Sequence, residues 1–193
     1  MEAMSLRNLV GYAYDAKDYQ IAGATSWMET DRYDISAKAE GEVQRPRAEF
    51  RQMMQSLLAE RFHVALHHES REMPVYALTV LKNGHKLKDS SPEAKPILLM
   101  ESKNRGIAMT VTKGSMDQLV AQFFNINGVD RPVVDHTGLT GRYDYKLEWG
   151  TSSDSEAVSI YTAIQEQLGL KFEPTRAPIE FLVVDQAERP GEN

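Results

Sequence analysis

Cysteine is absent from this chain of 193 residues. Its absence excludes disulfides, thiolate metal sites and cysteine nucleophiles. No apolar run approaches the roughly 18 residues of a membrane-spanning helix, so we expect no membrane span. Positive charge is also in short supply, with 22 Lys and Arg against 28 Asp and Glu and a net charge of −6. Because a dedicated nucleic-acid binder carries a basic surface, this balance argues against that class of protein.

Common enzyme and targeting motifs are missing as well. The chain contains no Gly-x-Ser-x-Gly elbow, and Gly138–Gly141 has no helical pattern after it, so it is interpreted as a turn rather than a phosphate loop. We therefore expect no cofactor. Met1–Met4 is not a basic region followed by an apolar stretch, so no signal peptide is recognised. That leaves a cytoplasmic location or a trimmed chain open.

A repeat organises what is present. Ser5–Val10 (SLRNLV) recurs as Ser115–Val120 (SMDQLV), and Thr30–Asp34 (TDRYD) recurs as Thr140–Asp144 (TGRYD). Both pairs have the same spacing, 110 positions, which favours an internal duplication over chance. We predict two halves, residues 1–100 and 101–193, packed as one compact unit.

Hydrophobic periodicity predicts similar elements in the two halves. The first helices carry the apolar stripes Leu6, Leu9, Val10, Ala13 and Met116, Leu119, Val120, Phe123. The second helices carry Phe50, Met53, Met54, Leu57, Leu58 and Ala157, Ile160, Tyr161, Ile164, Leu168. A strand alternates buried Tyr143, Tyr145, Leu147 and Trp149 with polar residues, and Tyr33–Ala37 is its shorter counterpart.

Local signals place the ends of these elements. Ser115 with Gln118 and Ser153 with Glu156 are capping boxes, and Gly169 can end a helix in the left-handed conformation. Pro74 and Pro178 are expected to start the last strand of each half. The predicted fold class is α+β: two α-β-α-β-β halves with mostly antiparallel sheets and helices packed on one face.

The segment between the halves is rich in Lys, Ser and Pro. We interpret Lys82–Arg105 as a hairpin tip at Asn83–Gly84 followed by a mobile connector. Ile107–Val111 then alternates like a strand. The first half has no counterpart of it before Ser5, so an exposed sheet edge is expected there.

The chain resembles a soil-associated protein family of unknown function that is abundant in Acidobacteria. The matching stretches are Leu6–Ala39, Leu57–Lys88, Arg131–Asp144 and Gln165–Asn193, which together cover nearly the whole chain. The resemblance implies export to the periplasm or cell exterior, and similar domains occur fused to membrane metallopeptidases of the beta-lactam-sensor type. It supplies no catalytic residues. More loosely, each half resembles the short N-terminal domains of secretins and TonB-dependent receptors, an analogy that rests on element order.

Two places could carry catalytic chemistry. His63 and His67 would point the same way on a strand and are weak metal-ligand candidates, although zinc needs three or four converging ligands. Asp135 and His136 could act as a general base, although nothing pins a nucleophile beside them, and a turn held by Asp135 explains them equally. For His63 and His67, the alternative to a metal site is a polar strand face.

The duplicated polar residues are candidates for binding. Arg32 and Asp34 flank Tyr33, as Arg142 and Asp144 flank Tyr143, and each pair is either a recognition site or a solvated ion pair. Trp27 joins a locally aromatic stretch that is either a partner surface or core. We predict a non-catalytic binding module for a protein, a peptide or a cell-envelope component. The alternatives are a hydrolase, metal-assisted in one version, acting on ester, lactone or peptide substrates, and a self-assembling structural protein; a homo-oligomer is compatible with the first and required by the last.

Overall fold

The computed structural model describes residues 3–36, 46–103, 106–123, 126, 128–150 and 158–191. It divides into two compact units: unit 1 is Met1–Glu72 with Pro178–Asn193, and unit 2 is Met73–Ala177. This division differs from the predicted halves 1–100 and 101–193 because two long strands each run from one unit into the other. The duplication itself stays a prediction.

The elements confirm the α+β class with mostly antiparallel sheets. The helices are α1 (Leu6–Tyr14), α2 (Ser26–Thr30), α3 (Arg47–Phe62), α4 (Met116–Phe123) and α5 (Ile160–Ala163). A 3-10 turn (Asp18–Gln20) follows α1, and a π-helical segment (Ile164–Leu168) continues α5. The strands are β1 (Ile21–Ala22), β2 (Ala65–Val80), β3 (Lys88–Asp89), β4 (Ile97–Lys103), β5 (Gly106–Gly114), β6 (Val133–Asp135), β7 (Tyr143–Trp149) and β8 (Leu170–Gln186). None of the helices within the described ranges is long and apolar enough to cross a membrane.

Within the described residues, the strands form two four-stranded sheets. One has the order β3-β7-β5-β4, and its neighbours are all antiparallel. The other has the order β1-β8-β2-β6, in which β1 lies parallel to β8 and β6 lies parallel to β2. Within it, β1 belongs to unit 1 and β6 to unit 2.

Unit 1 is held by the packing of α1 against α3. The predicted α1 stripe is buried, as Leu6, Leu9, Val10 and Ala13 are each at most 1% exposed. On α3 the buried positions are Met54, Leu58 and Phe62, spaced four residues apart on one face. Neighbouring helical residues are rotated by about 100°, so Met53 is turned away from this face and the prediction of a core position for it was wrong. Phe50 continues the four-residue spacing of the buried face but is 43% exposed near the start of the helix, so a core position for it was wrong as well.

In unit 2, helices pack on one face of the β3-β7-β5-β4 sheet. Residues 143, 145, 147 and 149 of β7 are buried in its core, as the alternation predicted. Buried residues of α4 join them: Met116, Leu119 and Phe123. So do four residues of α5 and the π-helical segment that continues it: Ile160, Ala163, Ile164 and Leu168.

The predicted helix signals have three different outcomes. Ser115 and Gln118 form the predicted capping box: the Ser115 backbone N–H donates to Gln118 Oε1, and the Gln118 N–H donates to Ser115 Oγ. Gly169 ends the π-helical segment at φ 67°, also as predicted. Ser153 and Glu156 lie outside the described residues, and Ser159 is the N-cap of α5 instead.

Two predictions about strands were wrong. Pro74 and Pro178 do not start strands but lie inside the continuous strands β2 and β8. The fixed φ of proline and the extended preference of the residue before it are both compatible with an uninterrupted strand. Residues 33–36 do not form the predicted strand: Tyr33 makes an isolated bridge with Met4, and residue 37 lies outside the described ranges.

The connector after β2 contains regular structure. Asn83–Gly84 does form a turn, with the Gly84 N–H donating to the Leu81 carbonyl. Downstream, however, the predicted mobile connector holds β3 and the seven-residue strand β4. Ile107–Val111 is a strand, as predicted, and belongs to β5, which lies inside the sheet between β7 and β4. The sheet ends in β4 on this side and in β3 on the other.

Candidate functional site

The most unusual surface of unit 2 is the outer strand β4. Ile97, Leu98, Leu99 and Met100 are consecutive and are 52%, 51%, 49% and 45% exposed. In the part of the chain that the structure describes, β4 ends the sheet and pairs with β5 on one side, and no strand neighbours its other side. Long apolar edges invite pairing with another chain, and natural proteins usually protect them.

The exposed residues lie on both faces of the sheet. In the register of β4 with β5, Leu98 and Met100 lie beside buried Val111 and Met109, on the face that carries the core. Ile97 and Leu99 alternate with them and therefore point to the opposite face. A helix packed on one face would leave the other apolar pair in water, whereas a strand added at the edge contacts both pairs.

The opposite edge of the same sheet is different. It is formed by β3, which is two residues long and consists of Lys88 and Asp89. Short, charged edges are a common way of preventing strand addition. The contrast between the two edges identifies β4 as the interaction candidate.

A cleft of about 280 Å³ adjoins β4 on the core face. Its floor includes Leu98 and Val111, and its far wall is formed by Gln118 and Gln122 of α4. The cleft is therefore apolar below and amide-lined on the helix side. Side chains from an added strand that point to this face would lie beside it.

The opposite face carries a more polar cleft of about 370 Å³. Lys86, Lys88 and Lys146 surround it together with Asp144. Lys146 Nζ lies 2.6 Å from Glu148 Oε1, and this carboxylate raises the pKa of Lys146. The Asp144 carboxylate accepts the Lys113 backbone N–H at 2.9 Å, which lowers the pKa of Asp144 below its ordinary value.

The duplicated Arg-Tyr-Asp residues lie in different units. In unit 2, Tyr143 is buried, Arg142 is exposed and Asp144 holds the backbone of Lys113. Asp144 thus fixes the bulge in β5 where the register with β7 shifts.

In unit 1, Tyr33 packs edge-on against Phe62, with ring centres 4.9 Å apart. Asp34 accepts the Ala3 backbone N–H at 2.7 Å, while Arg32 is exposed. The two aspartates therefore each bind a backbone amide, and recognition of a ligand by either pair stays a prediction.

Trp27 belongs to a cluster that sequence reasoning missed. Arg189 Nε lies 2.8 Å from Asp31 Oδ2, and the Arg189 guanidinium lies over the Trp27 ring at 5.3 Å. Arg189 also lowers the pKa of Asp31. Because 158 positions separate Asp31 from Arg189, no local pattern could have indicated the pair.

The predicted histidines each have a separate carboxylate. His63 Nδ1 lies 3.3 Å from Glu188 Oε2, and His67 Nδ1 lies 2.9 Å from Asp185 Oδ1. The neighbouring His68 pairs with Glu180 at 2.7 Å. Among the described residues there is no group of three side chains that could hold a metal ion. His67 and His68 lie on the polar surface of β2, whereas His63 is the C-cap of α3 with φ 48°, so the prediction that His63 and His67 share one strand face was wrong.

Asp135 and His136 lie where β6 ends in a turn. Asp135 Oδ1 accepts both the Thr137 backbone N–H, at 2.8 Å, and the Thr137 hydroxyl, at 2.7 Å. The His136 backbone N–H donates to the Leu78 carbonyl and so extends the pairing of β6 with β2. These contacts are the ones expected of a turn held by Asp135. A catalytic role of His136 stays a prediction.

A second cluster without a sequence signal lies in unit 2. The Tyr76 hydroxyl donates to Asp130 Oδ1 at 3.0 Å and lowers the pKa of Asp130. The Tyr161 hydroxyl lies 3.4 Å from both, and burial raises the pKa of Tyr161. Tyr76 and Tyr161 both contact the Phe172 ring. The two tyrosines thus hold Asp130, which lies in the loop that precedes β6.

Comparison with known proteins places the chain in a family. A family model described as "Protein of unknown function (DUF3738)" matches residues 7–187, so the chain belongs to that family. No curated protein and no solved structure matches it. The family match spans both units and carries no assigned activity.

Proposed function

We propose that this chain is a non-catalytic interaction module that binds an extended polypeptide strand along the open edge of β4. The observation that carries the proposal is the run of four half-exposed apolar side chains on a sheet edge. Apolar patches of this kind mark interaction sites, and strand addition is an established mode of peptide recognition. Main-chain hydrogen bonds supply affinity in this mode, and pockets for alternate side chains supply specificity.

The two faces of β4 would provide those pockets. On the core face, the cleft between Leu98 and Gln122 accepts apolar or amide side chains. On the other face, Leu99 lies beside Thr110, with the lysine-lined cleft further across the sheet. The preferred partner strand therefore alternates apolar residues on the core face with mixed apolar and acidic residues on the other.

We further propose that the module works in the bacterial cell envelope. This rests on the resemblance to a soil-associated, acidobacterial family whose members are usually exported and are found fused to membrane metallopeptidases. A partner in that setting is a protein or a cell-envelope component. The hydrolase alternative stays a prediction, and none of the contacts of His63, His67 or His136 favours it.

Peptide display tests the proposed function while the natural partner is unidentified. Decapeptides displayed on phage are selected against the wild-type chain and against the Leu99→Lys variant. Leu99 lies on the face away from the core, so a lysine there is compatible with folding, and lysine on an edge strand opposes strand addition. Ser36→Lys, at an exposed position of unit 1, adds the same charge elsewhere and is the control.

The proposal expects enriched peptides that bind the wild type and the Ser36→Lys variant but not the Leu99→Lys variant. A proline at a central position whose N–H faces β4 should abolish binding, because it removes a main-chain donor. Failure to enrich any peptide, or enrichment of peptides that bind all three proteins equally, would contradict the proposal.

A further inference from the structure

The partner strand can be specified more closely if β4 pairs with itself. Two identical strands related by a two-fold axis perpendicular to the sheet are antiparallel and keep their faces. Residues opposite each other must then point to the same face, which requires the axis to pass beside one particular residue. The register of such a pair is therefore described by its central residue, and only a few registers exist for β4.

The register centred on Leu98 is self-complementary. It places Leu98 opposite Leu98 of the second copy and Ile97 opposite Leu99, so the exposed apolar residues cover one another on both faces. It also places Lys95 opposite Glu101, and the symmetry repeats this pair at the other end. Opposite charges directly across an antiparallel pair are stabilising.

Neighbouring registers lack this match. Centring on Leu99 sets Lys95 against Lys103 and Ile97 against Glu101. Centring on Ile97 sets Lys95 against Leu99. Like charges or a charge against an apolar side chain then replace the favourable pairs, and these registers are disfavoured.

The residues before β4 can extend the pairing. Pro96 has a φ compatible with a strand, and a residue before proline, here Lys95, prefers extended backbone. In the Leu98 register Pro96 lies opposite Met100, which adds an apolar contact beside the 280 Å³ cleft. Glu101 and Lys103 are each half exposed and lie 3.6 Å apart, so Glu101 is accessible to a lysine from a second copy.

We infer that β4 binds β4 of a second copy in the register centred on Leu98, forming a closed two-fold dimer. This inference rests on the proposed function and names its partner. Each copy has one β4, so the pairing covers the β4 edge of both copies. The dimer is therefore closed and does not propagate into a polymer through β4.

The absence of cysteine makes a direct cross-linking test available. In the inferred register the Cα atoms of residue 98 in the two copies are about 4.5–5.5 Å apart, within disulfide range. The Leu98→Cys variant should therefore form a covalent dimer on mild oxidation. Met100→Cys is the matched control: it lies on the same face with similar exposure, but its two copies are about 13 Å apart along the strands.

Intact mass and non-reducing electrophoresis read the outcome. Near-complete cross-linking of Leu98→Cys with background cross-linking of Met100→Cys supports the inference. Cross-linking of Met100→Cys instead overturns the register. If neither cross-links and the wild-type chain sediments as a monomer up to millimolar concentration, the second copy is not the partner. A displayed peptide that requires Leu99 would still uphold the proposed function in that case.

Charge reversal tests the same register without cysteine. Lys95→Glu and Glu101→Lys should each raise the dimer dissociation constant several-fold, because each places two like-charged pairs in the interface. The double variant should restore wild-type association, since the pairs are again opposite in sign. Double-variant association no better than either single variant would overturn the pairing of these two residues.

Discussion

Leu98 lies directly beside Val111 in the sheet, yet Leu98 is 51% exposed and Val111 is 6% exposed. Both side chains point to the face that packs on the helices. The helices cover β5 and β7 but stop short of β4. On this face β4 thus presents apolar side chains to solvent while the neighbouring residues of β5 and β7 are buried, and the proposed function follows from this difference.

The exposure of β4 predicts that truncating a leucine to alanine lowers the free energy of unfolding much less on β4 than on the buried strand β7. Leu98→Ala in the monomer should change the free energy of unfolding by no more than about 0.5 kcal/mol, as at other surface positions. Leu147→Ala, at a fully buried position of β7, should cost about 2–5 kcal/mol. Urea unfolding of dilute protein measures both. A Leu98→Ala cost as large as that of Leu147→Ala would mean that β4 is covered within the chain.

Two glycines with positive φ offer a matched comparison. Gly169 has φ 67°, and a Cβ there would lie 2.6 Å from the Gly84 carbonyl oxygen. Gly84 has φ 86°, with nothing within 4 Å of its Cβ position. Each change to alanine should cost about 1–2 kcal/mol for the left-handed conformation. Gly169→Ala should cost more because the turn must also move, and thermal unfolding that ranks the two equally would contradict this contact.

Asp144 is expected to contribute to the loss of folding stability in acid. Its folded-state pKa is lowered by the Lys113 backbone N–H, so its contribution to stability is present above the ordinary Asp pKa of about 3.9. That contribution is lost as the pH falls through the lowered folded-state value. Asp144→Asn keeps an acceptor but no charge, and it should be less stable than wild type at neutral pH, with a difference that shrinks in acid. Chemical unfolding at several pH values checks this; a constant difference would assign the loss to something other than the charge.

Local patterns predicted the parts of the fold that depend on neighbours in sequence. The α1 stripe, the Ser115–Gln118 box and the alternation of β7 were predicted correctly because each involves residues a few positions apart. The strand β4 was missed because its apolar run does not alternate and its flanks are rich in Lys, Ser and Pro. Short apolar runs are ambiguous between helix and strand, and here the composition was misinterpreted as a connector.

The site contacts were harder to predict for a different reason. His67 with Asp185 and Asp31 with Arg189 are 118 and 158 positions apart. Both pairs depend on β8 returning from unit 2 into unit 1, which the prediction of strands starting at Pro74 and Pro178 did not include. The histidines were identified, but their carboxylate partners were not.

The Asp31–Arg189 pair predicts how the C-terminal segment is held. Arg189→Gln removes the positive charge that pairs with Asp31 and the guanidinium that lies over Trp27. Amide hydrogen exchange in residues 187–191 should therefore become faster. Exchange in β7 should be unchanged. Arg142→Gln, at an exposed arginine of unit 2, is the control and should leave residues 187–191 as in wild type. Equal exchange in wild type and Arg189→Gln would show that other contacts hold the segment.

The central claim is that β4 accepts an extended strand, and amide hydrogen exchange on the full chain tests it most directly. The probe is a synthetic peptide of residues 94–103, which carries the self-complementary sequence. At a protein concentration low enough to keep the chain monomeric, saturating peptide should slow exchange in β4 of the wild-type chain, leave α1 and α3 unaffected, and have no effect on the Leu99→Lys variant. Unchanged exchange in β4, or equal protection in the Leu99→Lys variant, would contradict the account.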